Sequence, residues 1–207
     1  MNILDCSAAL LVGGESLRMG SPKALLDFDG APLSIHLTRV LLTVFDDVAL
    51  VGDFPDGYLI AEETRVYRVP DRFPTRSSLN GIASALHAGN ASWVAILACD
   101  APRISIPLLR YMAQLRNESD ADIILTIDDT GFAQPFHALW RGTLAAQIAH
   151  SVQRNELGIR RLLATLRCRT IAPEEWRRFD PAGAFLTNIN TPEDWRSFVS
   201  DRPRQGD

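Results

Sequence analysis

Apolar and polar positions alternate along this chain in two distinct rhythms. Cys6 to Val12 is a short, continuous apolar run that opens into a polar, glycine-bearing loop, the pattern of a buried strand. Pro32 to Phe45 carries apolar residues at Leu33, Leu37, Val40, Leu41 and Val44, a helical spacing. Val48–Val51 predicts a second strand, and Val66–Val69 a third, stopped by Pro70 and Asp71. Leu79 to His87 reads as a helix ended by Gly89 and Asn90. Val94–Ala98 predicts a strongly buried strand. Ser105 to Leu115 predicts a helix with Ser105 as its cap and Pro107 in its first turn, followed by a strand at Ile123–Thr126.

Strands that alternate with helices imply right-handed crossovers and a mostly parallel sheet. Continuous apolar strands imply a sheet covered on both faces. The expected fold class is therefore α/β, with a mostly parallel central sheet and helices on both faces. After Gly131 the rhythm changes. Phe132 to Trp140 reads as a strand broken at Pro135. Thr143–Val152 and Ile159–Leu166 read as helices, Phe185–Thr187 precedes a polar turn, and Pro192–Val199 closes the fold as a helix. No linker-like stretch divides the chain, so residues 1–200 are expected to form one domain and 201–207 a polar tail.

Composition narrows the class. The chain has 207 residues, 46% hydrophobic and 22% charged, which suits a globular protein with a substantial core. A formal net charge of −4 argues against a nucleic-acid coat protein, though not against a local phosphate pocket. No apolar run is long enough to span a bilayer, and the first residues lack a basic signal-peptide region. Cys6, Cys99 and Cys168 are far apart and form no CxxC pair, so they are expected to be small core residues in a reducing cytoplasm. His36, His87, His137 and His150 are scattered and offer no metal cluster. His137, in a segment of chemical interest, is expected to be structural.

The chemistry concentrates where the first strand ends, in Gly13-Gly14-Glu15-Ser16-Leu17-Arg18-Met19-Gly20-Ser21-Pro22-Lys23. Glycines let backbone amides approach a ligand closely, and Arg18 and Lys23 can neutralise phosphate. A loop at the carboxyl end of a strand is where ligands bind in open α/β sheets. The spacing fits neither the GxxxxGK[ST] phosphate loop nor the GxGxxG fingerprint. A surface loop with a few solvated charges is the plainer reading of such a loop taken alone. Asp100 follows the Val94–Ala98 strand and is either a helix cap or a ligand for Mg²⁺, an ion that often takes one or two carboxylates with phosphates and water. Asp71 after the third strand reads alone as a turn aspartate.

The stretch LVGGESLRMGSPKALLDFDGAPL resembles the signature of the molybdenum cofactor guanylyltransferases, LAGGxSxRMGxxKxxL followed by a small loop and GxPL. Gly13, Gly14, Ser16, Arg18, Met19, Gly20, Lys23, Leu26, Gly30, Pro32 and Leu33 fall in register, with Val12 in place of alanine. Cys99-Asp100-Ala101-Pro102 is similar to the family's CDxP segment, Asn188-Ile189-Asn190-Thr191-Pro192-Glu193 to its NxNTPE segment, and Gln134-Pro135-Phe136-His137-Ala138-Leu139 to its QPLHAL strand. The resemblance runs from Leu10 to about Trp195. It implies a three-layer Rossmann-like nucleotidyltransferase fold and transfer of GMP from GTP to the terminal phosphate of molybdopterin, with or without molybdenum, releasing pyrophosphate. By the same resemblance Leu11, Val12, Gly13, Gly14, Lys23, Asp71, Gly81 and Asp100 bind the nucleotide. Arg18, Lys23 and Asp100 act in the transfer, Asp100 holds Mg²⁺, and Gln134, Asn188 and Asn190 border the acceptor. The Gly13-Gly14 pair implies GTP rather than CTP, because cytosine-selecting relatives carry AG there. The resemblance leaves room for a molybdoenzyme or chaperone as delivery partner and offers no nucleic-acid or membrane role.

One stretch departs from the family. Where its members show PGxGPLxGI, this chain has Pro74-Thr75-Arg76-Ser77-Ser78-Leu79-Asn80-Gly81-Ile82. Thr75 and Ser77 stand where glycine is usual, and Ser78 replaces proline. A cytidylyltransferase of the same pterin, a sugar-phosphate nucleotidyltransferase and a catalytically weakened nucleotide-binding regulator are the competing readings.

Overall fold

The structure is a computed structural model that describes residue 3 and residues 5–13, 21–53, 64–89 and 91–201. In chain order its strands are β1 (Cys6–Leu11), β2 (Asp27–Phe28), β3 (Ala31–Pro32), β4 (Val48–Val51), β5 (Val66–Val69), β6 (Trp93–Ala98), β7 (Ile123–Ile127), β8 (Ala133–Arg141) and β9 (Cys168–Ile171). Its helices are α1 (Leu33–Leu41), α2 (Ser78–Ala88), α3 (Ile106–Leu115), α4 (Ala145–Gln153), α5 (Ile159–Leu163), α6 (Pro173–Trp176) and α7 (Pro192–Ser200).

The main sheet has seven strands in the order β5-β4-β1-β6-β8-β7-β9. Only β8 runs against the others, pairing antiparallel with β6 and with β7. The central strands bury both faces, and their side chains divide by parity. Cys6, Ala8 and Leu10 of β1, with Trp93, Ala95 and Leu97 of β6, pack toward α1, α3, α6 and Phe185. Ala9 and Leu11, with Val94 and Ile96, pack toward α2, α4 and α5. This is the three-layer arrangement expected from continuous apolar strands.

Several local expectations change. The helix expected over Pro32–Phe45 is regular only over Leu33–Leu41, with Pro32 at its cap, where a missing N–H costs nothing. Before it stands a hairpin that sequence periodicity had not marked. Asp29 and Gly30 both have positive φ, 57° and 76°, which suits the tight turn joining the two-residue strands β2 and β3. Ser105 is the N-cap of α3, but its hydroxyl makes no cap bond among the described residues. Cys6 and Cys99 are buried as expected, whereas Cys168 is exposed because β9 is an edge strand with one solvent-facing side.

The break expected at Pro135 is a bulge inside a continuous strand. Ile124 of β7 faces Leu139, yet Thr126 faces Gln134, so two steps along β7 are matched by five along β8. His137, in this bulge, has φ +64°. The irregularity lies next to the sheet edge where the parallel strands end, a common place for bulges that re-aim a side chain.

Candidate functional site

β1 and β6 are neighbours in register, Leu11 beside Ala98, and strands this close lie about 4.8 Å apart. Their pairing continues past the regular strands. The Cys99 N–H donates to the Leu11 carbonyl at 3.0 Å and the Val12 N–H to the Val51 carbonyl at 2.9 Å. The segments after β1, β4 and β6 therefore leave the sheet side by side. Gly13 rests against Gly52: a Cβ placed on Gly52 would stand 2.7 Å from the Gly13 nitrogen. Asp71, after β5, closes the other side of this strand end, its Oδ2 4.0 Å from where a Gly13 side chain would begin. Burial raises the Asp71 carboxyl above the ordinary carboxylate range; Asp53 adds to the effect and Arg76 opposes it. Gly14 and Arg18 lie outside the described residues.

A second group gathers around Lys23, in the short turn Lys23–Leu25. Its Nζ donates to Asn190 Oδ1 at 2.9 Å and stands 3.8 Å from Asp100 Oδ2. The Ile189 N–H donates to the Asp100 carbonyl at 2.7 Å, so the segment before α7 is fastened to the turn after β6. That segment is fixed in its turn by α7. The N–H groups of Asn190 and Thr191 both donate to Asp194 Oδ2 at 2.8 Å, and the Asp194 N–H donates back to Thr191 Oγ1, a capping box. These bonds hold the Asp194 carboxyl below its usual range. The neighbouring Cys99 thiol is driven up to about 12, by burial first and then by Asp100, with Lys23 opposing, and so is inert as a nucleophile.

The stretch that departs from the family has a local explanation. Ser77 caps α2, its hydroxyl accepting the Asn80 N–H at 3.1 Å. The Asn80 amide donates to the carbonyls of Phe73 and Thr75 at 2.7 and 2.9 Å and accepts from the Phe73 N–H at 3.3 Å, and Ser84 Oγ accepts the Arg72 N–H at 2.9 Å. Side-chain hydrogen bonds thus fix the loop from Asp71 to Ser77. Gly81 lies within α2, where an added Cβ would meet Leu11 Cδ1 at 3.3 Å, so it lets the helix pack closely on β1.

The structure thus brings Lys23, Asp100 and Asn190 together after β6, and Gly13 and Asp71 together after β1 and β5, at the same edge of the sheet. Leu11 and Val12 form the buried base of this edge. Asn188 is exposed nearby, two residues before Asn190. Gln134, near the start of β8, donates its amide to Asp128 Oδ2 at 3.0 Å. Sequence reading did not single out Gly52 or Asn80. The Gly-Asp pair after β4 and the amide at the third position of α2 were their only signals. Among the described residues no three His, Cys, Asp or Glu side chains converge as a metal cage. Asp100 is partly exposed and offers hard oxygen donors. That suits an ion that completes its shell with phosphate oxygens and water.

An open α/β sheet with a lysine, a carboxylate and a glycine edge gathered at its strand ends is the framework of a nucleotidyltransferase. The comparisons with known proteins are specific: the chain belongs to the MobA-like NTP transferase domain family, which it matches over residues 8–171. It is 30% identical over 200 residues to the molybdenum cofactor guanylyltransferase of Syntrophotalea carbinolica, covering 97% of this chain and 93% of that one. Its fold is similar to that of molybdopterin-guanine dinucleotide biosynthesis protein A from Archaeoglobus fulgidus, with a TM-score of 0.80 at 21% identity over 94% of this chain and 97% of that one. A Mycobacterium tuberculosis H37Rv protein of similar fold, solved as a complex with manganese, gives a TM-score of 0.58 at 17% identity, covering 95% of this chain and 99% of that one. No described helix is long and apolar enough to cross a membrane.

Proposed function

We propose that this enzyme transfers GMP from GTP to the terminal phosphate of a molybdopterin-type acceptor and releases pyrophosphate. The observation that carries the reading is the meeting of Lys23, Asp100 and Asn190 at the ends of β1 and β6. The resemblance to guanylyltransferases along nearly the whole chain supplies the nucleotide and the acceptor.

The chemistry asks little of a proton-transfer group. A phosphate monoester is already anionic near neutral pH and can attack the α-phosphorus in line without a general base. What the site must supply is positioning and charge neutralisation. Lys23 is held by Asn190 with its ammonium next to Asp100, so a point charge is ready for an anionic ligand. Gly13 leaves the strand end bare for close approach, and Arg18 is assigned to the phosphates by family resemblance. Asp100 would hold Mg²⁺, with Asp71 near the nucleotide. When bound, the ion neutralises charge on the transferring phosphoryl group and the departing pyrophosphate. The fixed α2 loop offers an ordered wall in place of the family's glycines. That favours an enzyme over a weakened regulator. Supply of GTP in the cytoplasm and the free thiols of Cys6 and Cys99 agree with a cytoplasmic location.

The test is pyrophosphate release from equal GTP and CTP in the presence of Mg²⁺ and molybdopterin. GTP is expected to be preferred, and Asp100→Asn to lower turnover on the order of a thousandfold without loss of fold. Equal use of CTP would overturn the guanine reading, and near-normal release by the folded Asp100→Asn enzyme would overturn the metal assignment.

A further inference from the structure

The turn that carries Asp100 is held at three points. At its start the Cys99 N–H is bound by Leu11, and in its middle the Asp100 carbonyl is bound by Ile189. At its far end the chain must stop and begin α3. There the Ser105 N–H donates to a side chain, His137 Nε2, at 3.0 Å. We propose that His137 is a positioning residue for the transfer reaction: its Nε2 accepts the Ser105 N–H and so fixes the end of the turn from which Asp100 projects. This rests on the reading that Asp100 holds the metal–triphosphate group.

The local structure is arranged around that bond. His137 lies in the β8 bulge with φ +64°, a conformation costly for a non-glycine residue and retained where the surroundings over-determine it. Its ring is buried, 3% exposed, beside Phe185 at 5.1 Å between centroids. An imidazole nitrogen that accepts cannot carry the proton, so the proton belongs on Nδ1. Nδ1 is buried and finds no hydrogen-bond partner among the described residues. Burial holds the ring neutral, its pKa lowered to about 4, with the residue's own backbone and then Asp180 opposing, so Nε2 remains an acceptor throughout the neutral range. A ring kept only for its volume would not need the strained backbone. Phe185, which packs on the ring, begins the segment that reaches Ile189 and Asn190. One residue therefore supports both chains that meet at Asp100.

The test compares His137→Gln with His137→Leu. Glutamine can place an acceptor near the position of Nε2, leucine cannot, and both suffer the same positive φ. The leucine enzyme is expected to raise the apparent Mg²⁺ requirement of pyrophosphate release about tenfold, and the glutamine enzyme to stay within about twofold of wild type. A wild-type Mg²⁺ requirement in the folded leucine enzyme would overturn the proposal, as would equal impairment of the two variants. Should either fail to fold, nitrogen-15 NMR of the wild-type imidazole decides. Protonation at Nδ1 with Nε2 bare is expected, and a proton on Nε2 would overturn the proposal. Asp100→Asn separates the underlying reading: if its Mg²⁺ requirement is unchanged, the metal assignment has failed, whatever the His137 variants do.

Discussion

Gly52→Ala should damage the nucleotide edge more than Gly13→Ala damages the fold, although the two residues touch. A Cβ on Gly52 would lie 2.7 Å from the Gly13 nitrogen and 2.8 Å from its Cα, both backbone atoms that no rotamer change can move. Gly52 also has φ +125°, a region nearly closed to side chains, worth about 1–3 kcal/mol of strain. Relieving the overlap adds about 1–3 kcal/mol in a packed site. The expected loss is therefore about 2–6 kcal/mol, a urea midpoint lowered by about 1–3 M for a slope of about 2 kcal/mol per molar. A shift of Gly13 away from β4 would relieve part of the overlap, and GTP affinity would fall with it. Gly13→Ala meets only ordinary contacts, 3.4 Å to Gly52 Cα, 3.8 Å to the Asp53 nitrogen and 4.0 Å to Asp71 Oδ2. It should keep its stability to within about 1 kcal/mol. Its methyl still fills the space between strand end and Asp71, so nucleotide binding should weaken. Urea unfolding of both variants, with calorimetric titration of GTP and Mg²⁺, measures all four quantities. The reasoning is refuted if Gly52→Ala unfolds within about 0.5 kcal/mol of wild type, or if Gly13→Ala is the less stable of the two.

Two further outcomes follow from named bonds. Asn190→Ala removes a hydrogen bond to a charged group and should lower kcat/KM about tenfold, yet have little further effect in a Lys23→Ala background; additive losses in that double-mutant cycle would mean that Asn190 does not act through Lys23. Acid should destabilise the fold through His137. Its pKa falls from 6.5 to about 4 on folding, so the unfolded chain binds the extra proton, and the stability it contributes is present above 6.5 and is lost as pH falls toward 4. Between about pH 7 and about pH 5 the wild type should lose about 2 kcal/mol more than His137→Gln, measured by urea unfolding; parallel pH profiles would show that the ring is not held neutral.

The sequence showed most clearly those elements whose burial is simplest. β1, β4 and β6 are apolar on both faces and stood out as continuous runs, and α2 and α3 carried regular apolar spacing. β9 escaped because an edge strand with the pattern Cys168-Arg169-Thr170-Ile171 buries only Ile171 fully. The bulge in β8 escaped because its cause is the pairing with β7, which no local pattern records. Lys23, Asp100 and Asn190 were recognisable as residue types but not as neighbours, since Lys23 and Asn190 are 167 positions apart in the chain. Ser77 illustrates the opposite limit. In the sequence it is only a departure from the family's glycine, and the hydrogen bond from the Asn80 N–H reveals it as the cap that orders that loop.

The site also extends past the part of the chain that the family match covers. Residues 8–171 contain the sheet, the glycine edge and Asp100. Beyond them, Ile189 holds the Asp100 carbonyl, Asn190 holds the Lys23 ammonium, and both depend on Asp194 and Thr191 to fix the start of α7. An isolated lysine 3.8 Å from a half-exposed aspartate contributes little by itself, because water screens such pairs. The amide of Asn190 changes this by giving the flexible lysine one preferred position before any ligand arrives. The ordering entropy is then lost on folding rather than on binding, which is the general advantage of a preorganised charge. The C-terminal segment is therefore a structural part of the proposed transfer site, and α7 is the element that holds it there.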